Sequence, residues 1–247
     1  MSGLLKGLGK GQTKPMAIVL AGHNGSGKST LWRDKLGPTL QMPLINADNL
    51  TSSILPNESP LPAWAQRLRN DDDRWARLSQ EGVRAFKTLV MRDGLPFAFE
   101  TVFSHYVRHP DGRIESKADD IAEMQNEGYF VVLVFVGLAH VNLSVTRVAQ
   151  RVEQGGHNVP LRKLQTRFPR TRAAIGHAAP LADATLMFDN SLDGRLGFSL
   201  ARVQRREEVL FDVRAAGSSV HPHIQRLAGG WLDIVCPTNQ KSGPADS

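Results

Sequence analysis

The residues best suited to chemistry lie near the start of the chain. Gly22, His23, Asn24, Gly25, Ser26, Gly27, Lys28, Ser29 and Thr30 contain the pattern G-x-x-x-x-G-K-S. Gly25 and Gly27 permit backbone angles closed to other residues, so successive N–H groups can turn inward around phosphate oxygens. Lys28 adds a cation for the outer phosphates, and Ser29 offers an oxygen to magnesium. An apolar run at 16–21 precedes the pattern and a helical stretch follows it, aiming the positive end of the helix at the same point. This arrangement predicts capture of a nucleoside triphosphate, ATP with Mg2+.

The loop specifies a nucleotide rather than a reaction. Ligands of parallel sheets gather at the carboxyl ends of the strands, so the other strand ends matter next. Asp48 closes Asn46-Ala47-Asp48, twenty residues after Lys28. A carboxylate there would face the terminal phosphate and accept a proton from an attacking hydroxyl, although Asp also suits a helix N-cap. Glu100 and Thr101 follow the apolar Phe97-Ala98-Phe99, where a solvated strand end is the alternative. The most apolar strand, 130–136, ends in Gly137 and not in the magnesium-holding Asp of switch-type NTPases. Asp48 and Glu100 are therefore the strand-end carboxylates open to a metal, which points to a small-substrate kinase.

Arg147 and Arg151 are four residues apart and share a helix face. Gly155-Gly156-His157 interrupts the pattern, and Arg162, Lys163, Arg167, Arg170 and Arg172 follow. A helical lid that closes on ATP and neutralises its charge explains this grouping; a solvated basic face is the plainer reading. Asn190, in Asp189-Asn190-Ser191, stands at a strand end where it would border the adenine or simply form a turn. His105, His109, His157 and His177 lack metal-ligand spacing, and Trp32, Trp64, Trp75 and Trp231 read as packing residues.

Apolar runs at 16–21, 44–47, 97–99, 129–136 and 184–188 read as strands, the fourth buried on both faces. Helical patterns fall at 28–36 (stopped by Gly37-Pro38), around 75–90, where Trp75, Leu78, Phe86, Leu89 and Val90 share a face, and at 116–126, 142–154 and 160–175. Phe198 to Val213 reads as a terminal hairpin. The expected fold is α/β: a P-loop kinase fold with a parallel sheet of about five strands, helices on both faces and a helical lid. One kinase domain would span 15–235, with the lid and arginine region at about 142–178 and C-terminal strands at about 198–214. Flexible segments would occupy 1–14 and 236–247.

The net charge of +6 fits either nucleic acid or a polyphosphate pocket. Aromatic residues make up only 6% and do not interleave with basic ones, which favours the pocket. No apolar run approaches the ~20 residues of a membrane helix, and the first residues lack a signal-peptide pattern. The single Cys236 excludes a disulfide framework and fits a cytoplasmic location.

Together these segments resemble the zeta toxin family of P-loop kinases, which includes UDP-N-acetylglucosamine kinases. The matching pieces are GHNGSGKST at 22–30, INAD at 45–48, FETVFS at 99–104, VFVGL at 134–138, TRVAQRVEQGGHNVP at 146–160 and FDNS at 188–191. The RV-x-x-GGH-x-VP form marks a branch distinct from the founding toxins. The resemblance implies ATP- and magnesium-dependent phosphate transfer to a hydroxyl of a small-molecule acceptor, and an antitoxin protein as partner. It implies Lys28 on the outer phosphates, Ser29 and Asp48 at the metal, and Asp48 as base. Glu100 and Thr101 would lie at the acceptor, Arg147 and Asn190 near the nucleotide, and Arg151 with Arg167 (or Arg162) on the γ-phosphate. A nucleotide-dependent binding module and a polynucleotide kinase are the competing readings.

Overall fold

The computed structural model describes residues 7, 13–47, 50, 53, 62–70, 73–154 and 158–238. Asp48, Gly155, Gly156 and His157 lie outside the described residues, as do most of 1–14 and 239–247.

The apolar runs become a seven-stranded sheet. Its strands are β1 (Met16–Gly22), β2 (Leu44–Ile45), β3 (Phe97–Thr101), β6 (Phe130–Gly137), β7 (Ala184–Asp189), β8 (Ser199–Arg205) and β9 (Glu208–Asp212), in the order β2-β3-β1-β6-β7-β8-β9. The first five in that order run parallel, and β8 and β9 extend the sheet antiparallel. β6 lies centrally with every residue buried, as its two-sided apolar pattern requires. A small hairpin of β4 (Tyr106–Arg108) and β5 (Ile114–Ser116) stands apart from the sheet.

Alternation along the strands divides the core. Ala17, Val19 and Ala21 of β1 join Val131, Leu133 and Phe135 of β6 on one face. Ile18 and Leu20 join Val132, Val134 and Val136 on the other. Helices α4 (Asp73–Arg92), α5 (Ala118–Asn126), α7 (Leu161–Ala178) and α8 (Pro222–Val235) contribute to the first face. The second is covered by Leu31 at the end of α1 (Lys28–Leu31) and by Trp32 and Leu36 of the π-helical stretch that continues it. Helix α3 (Ala63–Asn70) precedes α4, and α6 (Val141–Glu153) precedes α7.

Several expectations are corrected. Helical structure does not stop at Gly37-Pro38 but runs on as α2 (Gly37–Leu40), because Pro38 sits in the first turn, where a missing N–H costs nothing. Leu78 and Leu89 are exposed; the buried positions of α4 include Ser79, Lys87 and Val90. Trp64 is also exposed, at 53%, whereas Trp32 and Trp231 pack in the core. The β4–β5 hairpin and α8 were not anticipated.

Registry brings the strand ends to one edge. Ala21 pairs with Thr101, Gly22 with Val136, and Gly137 with Asp189. The residues just past these ends form the site.

Candidate functional site

The segment after β1 curls over the start of α1. Gly27 has φ 90°, and a Cβ there would stand 2.7 Å from Asn190 Nδ2 and 2.9 Å from the Phe198 ring, so only glycine fits. Lys28 is nearly buried, with Nζ donating to the Gly22 and His23 carbonyls at 3.1 and 3.0 Å. Neighbouring elements fix the loop from outside. Ser144 of α6 donates to the Asn24 carbonyl at 2.7 Å, and Asn190 donates to the Ser26 carbonyl at 2.8 Å. The Asn190 side-chain oxygen in turn accepts from the Phe198 amide at 3.3 Å. The loop is thus held in shape by β7 and α6.

Glu100 meets this loop directly. Ser29 Oγ donates to its two oxygens at 2.9 and 3.2 Å, and Lys28 Nζ lies 3.7 Å away. Glu100, expected either as a carboxylate open to the metal or at the acceptor, lines the cavity and contacts the hydroxyl and ammonium of the phosphate loop. Just beyond, the Thr101 hydroxyl accepts from the Phe103 amide at 3.1 Å. Phe103 adopts φ 59° while fully buried, a conformation that non-glycine residues rarely hold. This turn aims the segment after β3 across the cavity.

A cavity of about 870 Å3 spans these parts. Asn24, Gly25, Gly27, Lys28, Ser29 and Thr30 line its phosphate end, with Arg147, Arg151, Asn190 and Phe198 beside them. Asn46, Ala47, Glu100, Thr101 and Ser104 also line the cavity, together with Arg84 and Lys87 of α4. Lys163 and Arg167 of α7 border it as well. The loop residues Gly22, His23 and Ser26 lie outside the lining. Asp48 is not described, but its neighbours Asn46 and Ala47 are on the wall.

The arginines divide by role. Arg147 is tied down, donating to the Asn190 carbonyl at 2.7 Å and to Asp193 at 2.9 Å. Arg151 and Arg167 border the cavity, whereas Arg162 does not. Arg170 is exposed. Arg172, expected in the lid, is buried instead: it donates to the Leu138 and Ala139 carbonyls, both at 2.9 Å, and stacks over Phe168. Burial lowers its pKa from the ordinary arginine value.

Gly137 replaces the acidic residue of a switch NTPase for a steric reason. A Cβ at that position would lie 2.8 Å from the Trp231 ring. The indole instead donates to Asp189 Oδ2 at 2.7 Å, and the Ser191 amide and hydroxyl donate to the same carboxylate at 3.0 and 2.8 Å. Asp189 therefore braces the end of β7 from within the core. His105 and His109 both bond Glu115, at 2.8 and 3.2 Å, and pull that exposed carboxyl below its usual pKa.

Lys87 was missed by sequence reasoning. Only 7% exposed, it lies 3.2 Å from Asp120 and 3.3 Å from Glu123, with its ammonium 5.1 Å from the Phe99 ring centroid. Its one signal was a lysine between the apolar positions Phe86 and Val90 of the helix.

A parallel sheet with a glycine-rich phosphate loop at its carboxyl edge, a lysine in that loop and arginines across the cavity defines a P-loop phosphotransferase. The zeta toxin model matches residues 5–190, three-quarters of the chain, and the protein belongs to that family. It is a nucleotide-dependent kinase. No curated protein sequence matches it. Among solved structures, the complex of AvrRxo1-ORF1 and AvrRxo1-ORF2 with sulphate ions is similar at 15% identity and TM-score 0.61, covering 99% of this chain and 70% of that one. The same pair with ATP gives 17% identity and TM-score 0.55, covering 98% and 70%. A structure from the PezAT chromosomal toxin–antitoxin system of Streptococcus pneumoniae gives 14% and 0.52, covering 94% and 84%. At such identities the likeness speaks for the fold. Among the described residues, no helix is long and apolar enough to cross a membrane.

Proposed function

We propose that the protein transfers the γ-phosphate of ATP to a hydroxyl of a small, nucleotide-like acceptor, with UDP-N-acetylglucosamine as one candidate. The supporting observation is a single cavity bordered by the phosphate loop, by the segment after β3 and by α4, which brings Arg84 to its wall. A triphosphate on the loop and an acceptor against α4 would share that space. Arg84 and Lys117, both on the cavity wall, suit an acceptor that carries phosphate.

In this reading Lys28 exchanges its carbonyl partners for the β- and γ-phosphates. Ser29 and Glu100, hard oxygen donors within hydrogen-bonding distance of each other, fit magnesium. When bound, magnesium offsets charge on the β- and γ-phosphates. Asp48 takes the acceptor hydroxyl's proton as the new O–P bond forms and the bond to the β–γ bridging oxygen breaks, releasing ADP. Arg151 and Arg167 neutralise charge on the transferred group. A single kinase domain over 15–235, with 142–178 as its lid, is part of the same proposal. The likeness to structures of toxin–antitoxin systems supports an antitoxin partner, and the chemistry suits a cytoplasmic enzyme.

The test is incubation with γ-labelled ATP and magnesium, first with UDP-N-acetylglucosamine and then with a deproteinised metabolite extract. Label should move to a phosphorylated acceptor in the wild type and not in Lys28→Ala. Label found only as inorganic phosphate in both would defeat the proposal.

A further inference from the structure

We infer that His23 is a positioning residue: its ring, stacked against Phe168, sets the angle at which α7 presents Arg167 to the phosphate end of the cavity. The inference rests on the reading of Arg167 as a γ-phosphate ligand.

His23 belongs to the phosphate loop by sequence, yet its side chain does not line the cavity and is only 2% exposed. The ring turns into the gap between β6 and α7. There it stacks on Phe168 at 3.9 Å between centroids and 17° between planes, and meets Phe135 edge-on at 5.8 Å. Neither ring nitrogen has a hydrogen-bond partner among the described residues. The imidazole is therefore used as a flat surface, although burying its polar atoms unmatched is unfavourable. Phe168 also carries the Arg172 guanidinium 4.5 Å from its centroid, and Arg172 is anchored on the carbonyls past β6. A His–Phe–Arg column thus joins the phosphate loop to the end of the central strand.

Arg167 immediately precedes Phe168, and a step of about 100° around the helix lets one face the cavity while the other faces His23. Pro169 follows inside the helix. It has no N–H to give the carbonyl four residues back, so the turn that carries Arg167 lacks a backbone bond at this point. Beyond the proline, α7 is fixed by Thr171, which donates to the Val102 carbonyl at 3.2 Å, and by Arg172. Before it, the helix is held by the small cluster of Leu164 with Val148 and Val159, and by Phe168 on His23. Of these contacts, only the stack reaches the phosphate loop itself. Phosphate-loop geometry and arginine placement are coupled through two rings.

The test compares the affinities of AMP-PNP and ADP, each with magnesium, by titration calorimetry, so that no acceptor need be known. Their ratio reports contacts to the γ-phosphate. Arg167→Ala should lower the ratio about tenfold, as loss of a charge-assisted contact does. His23→Ala should remove most of the same factor while leaving ADP affinity within about twofold, His23→Phe should restore it, and the double variant should fall no further than Arg167→Ala. Thermal unfolding accompanies each variant, and His23→Leu, which fills the space without a flat ring, substitutes if His23→Ala does not fold. A normal ratio in His23→Ala or His23→Leu, or losses that multiply in the double variant, overturns the inference while leaving Arg167 in place. A normal ratio in Arg167→Ala instead removes the reading on which the inference rests.

Discussion

Replacing Gly27 with alanine tests the phosphate loop by a route that leaves every charge intact. The left-handed backbone at φ 90° costs an L-residue about 1–2 kcal/mol. The added Cβ would also sit 2.7 Å from Asn190 Nδ2, displacing that amide from the 2.8 Å bond to the Ser26 carbonyl. Loss of that bond adds about 1 kcal/mol. If the loop escapes the strain by leaving its phosphate-ready shape, the combined 2–3 kcal/mol appears as an ATP dissociation constant raised about 30- to 140-fold. Gly94 is the control: it has φ 65° but open space around its missing Cβ. Gly94→Ala should lower stability by about 1–2 kcal/mol and leave ATP affinity unchanged. Calorimetric titration with ATP and thermal unfolding of both variants make the comparison. ATP binding by Gly27→Ala within about threefold of wild type, or equal weakening by Gly94→Ala, would refute the reasoning.

Trp231→Phe removes one of three donors to the fully buried Asp189 carboxylate and should reduce unfolding free energy in urea by about 2 kcal/mol; an unchanged midpoint would show that the indole contributes nothing. Burial, then the nearby Arg172 and Lys28 charges, holds His23 neutral well below the usual histidine value. The unfolded chain takes up that proton below about pH 6.5 and the folded chain does not, so this contribution to stability is complete above that pH and lost as the pH falls. Urea midpoints should therefore drop on acidification, less steeply in His23→Phe; parallel profiles for the two proteins would contradict this. Glu100→Gln should raise the magnesium concentration needed for tight ATP binding about tenfold, and an unaltered requirement would detach Glu100 from the metal.

Much of the fold was readable because its central strands have patterns with one physical solution. Eight consecutive apolar residues from Phe130 to Gly137 can be buried only between two layers of helices. The phosphate loop was equally plain, since its backbone geometry demands glycine at fixed spacing. Less visible were elements whose stability comes from distant partners. Helix α8 contains Gly229-Gly230, a poor helical signal, and is secured by Trp231 on Asp189 and by Arg214 on Asp233. Strands β4 and β5 have three residues each, too few for a period. Leu78 and Leu89 matched a helical spacing but face outward, whereas Lys87, polar by type, is buried by two carboxylates. At the site, a spacing of five puts Arg167 and Arg172 about 140° apart around the helix but does not say which of them faces the cavity. The packing of α7 against the sheet turns Arg172 inward to the carbonyls after β6 and leaves Arg167 at the cavity.

The most direct measurement is made on Asp48→Asn, with ATP affinity and phosphate transfer to the identified acceptor recorded on the same preparation. The account predicts ATP binding within about threefold of wild type and transfer reduced on the order of a thousandfold, the loss of a general base. Transfer at a near-normal rate, with the substituted side chain unable to take a proton, would contradict it.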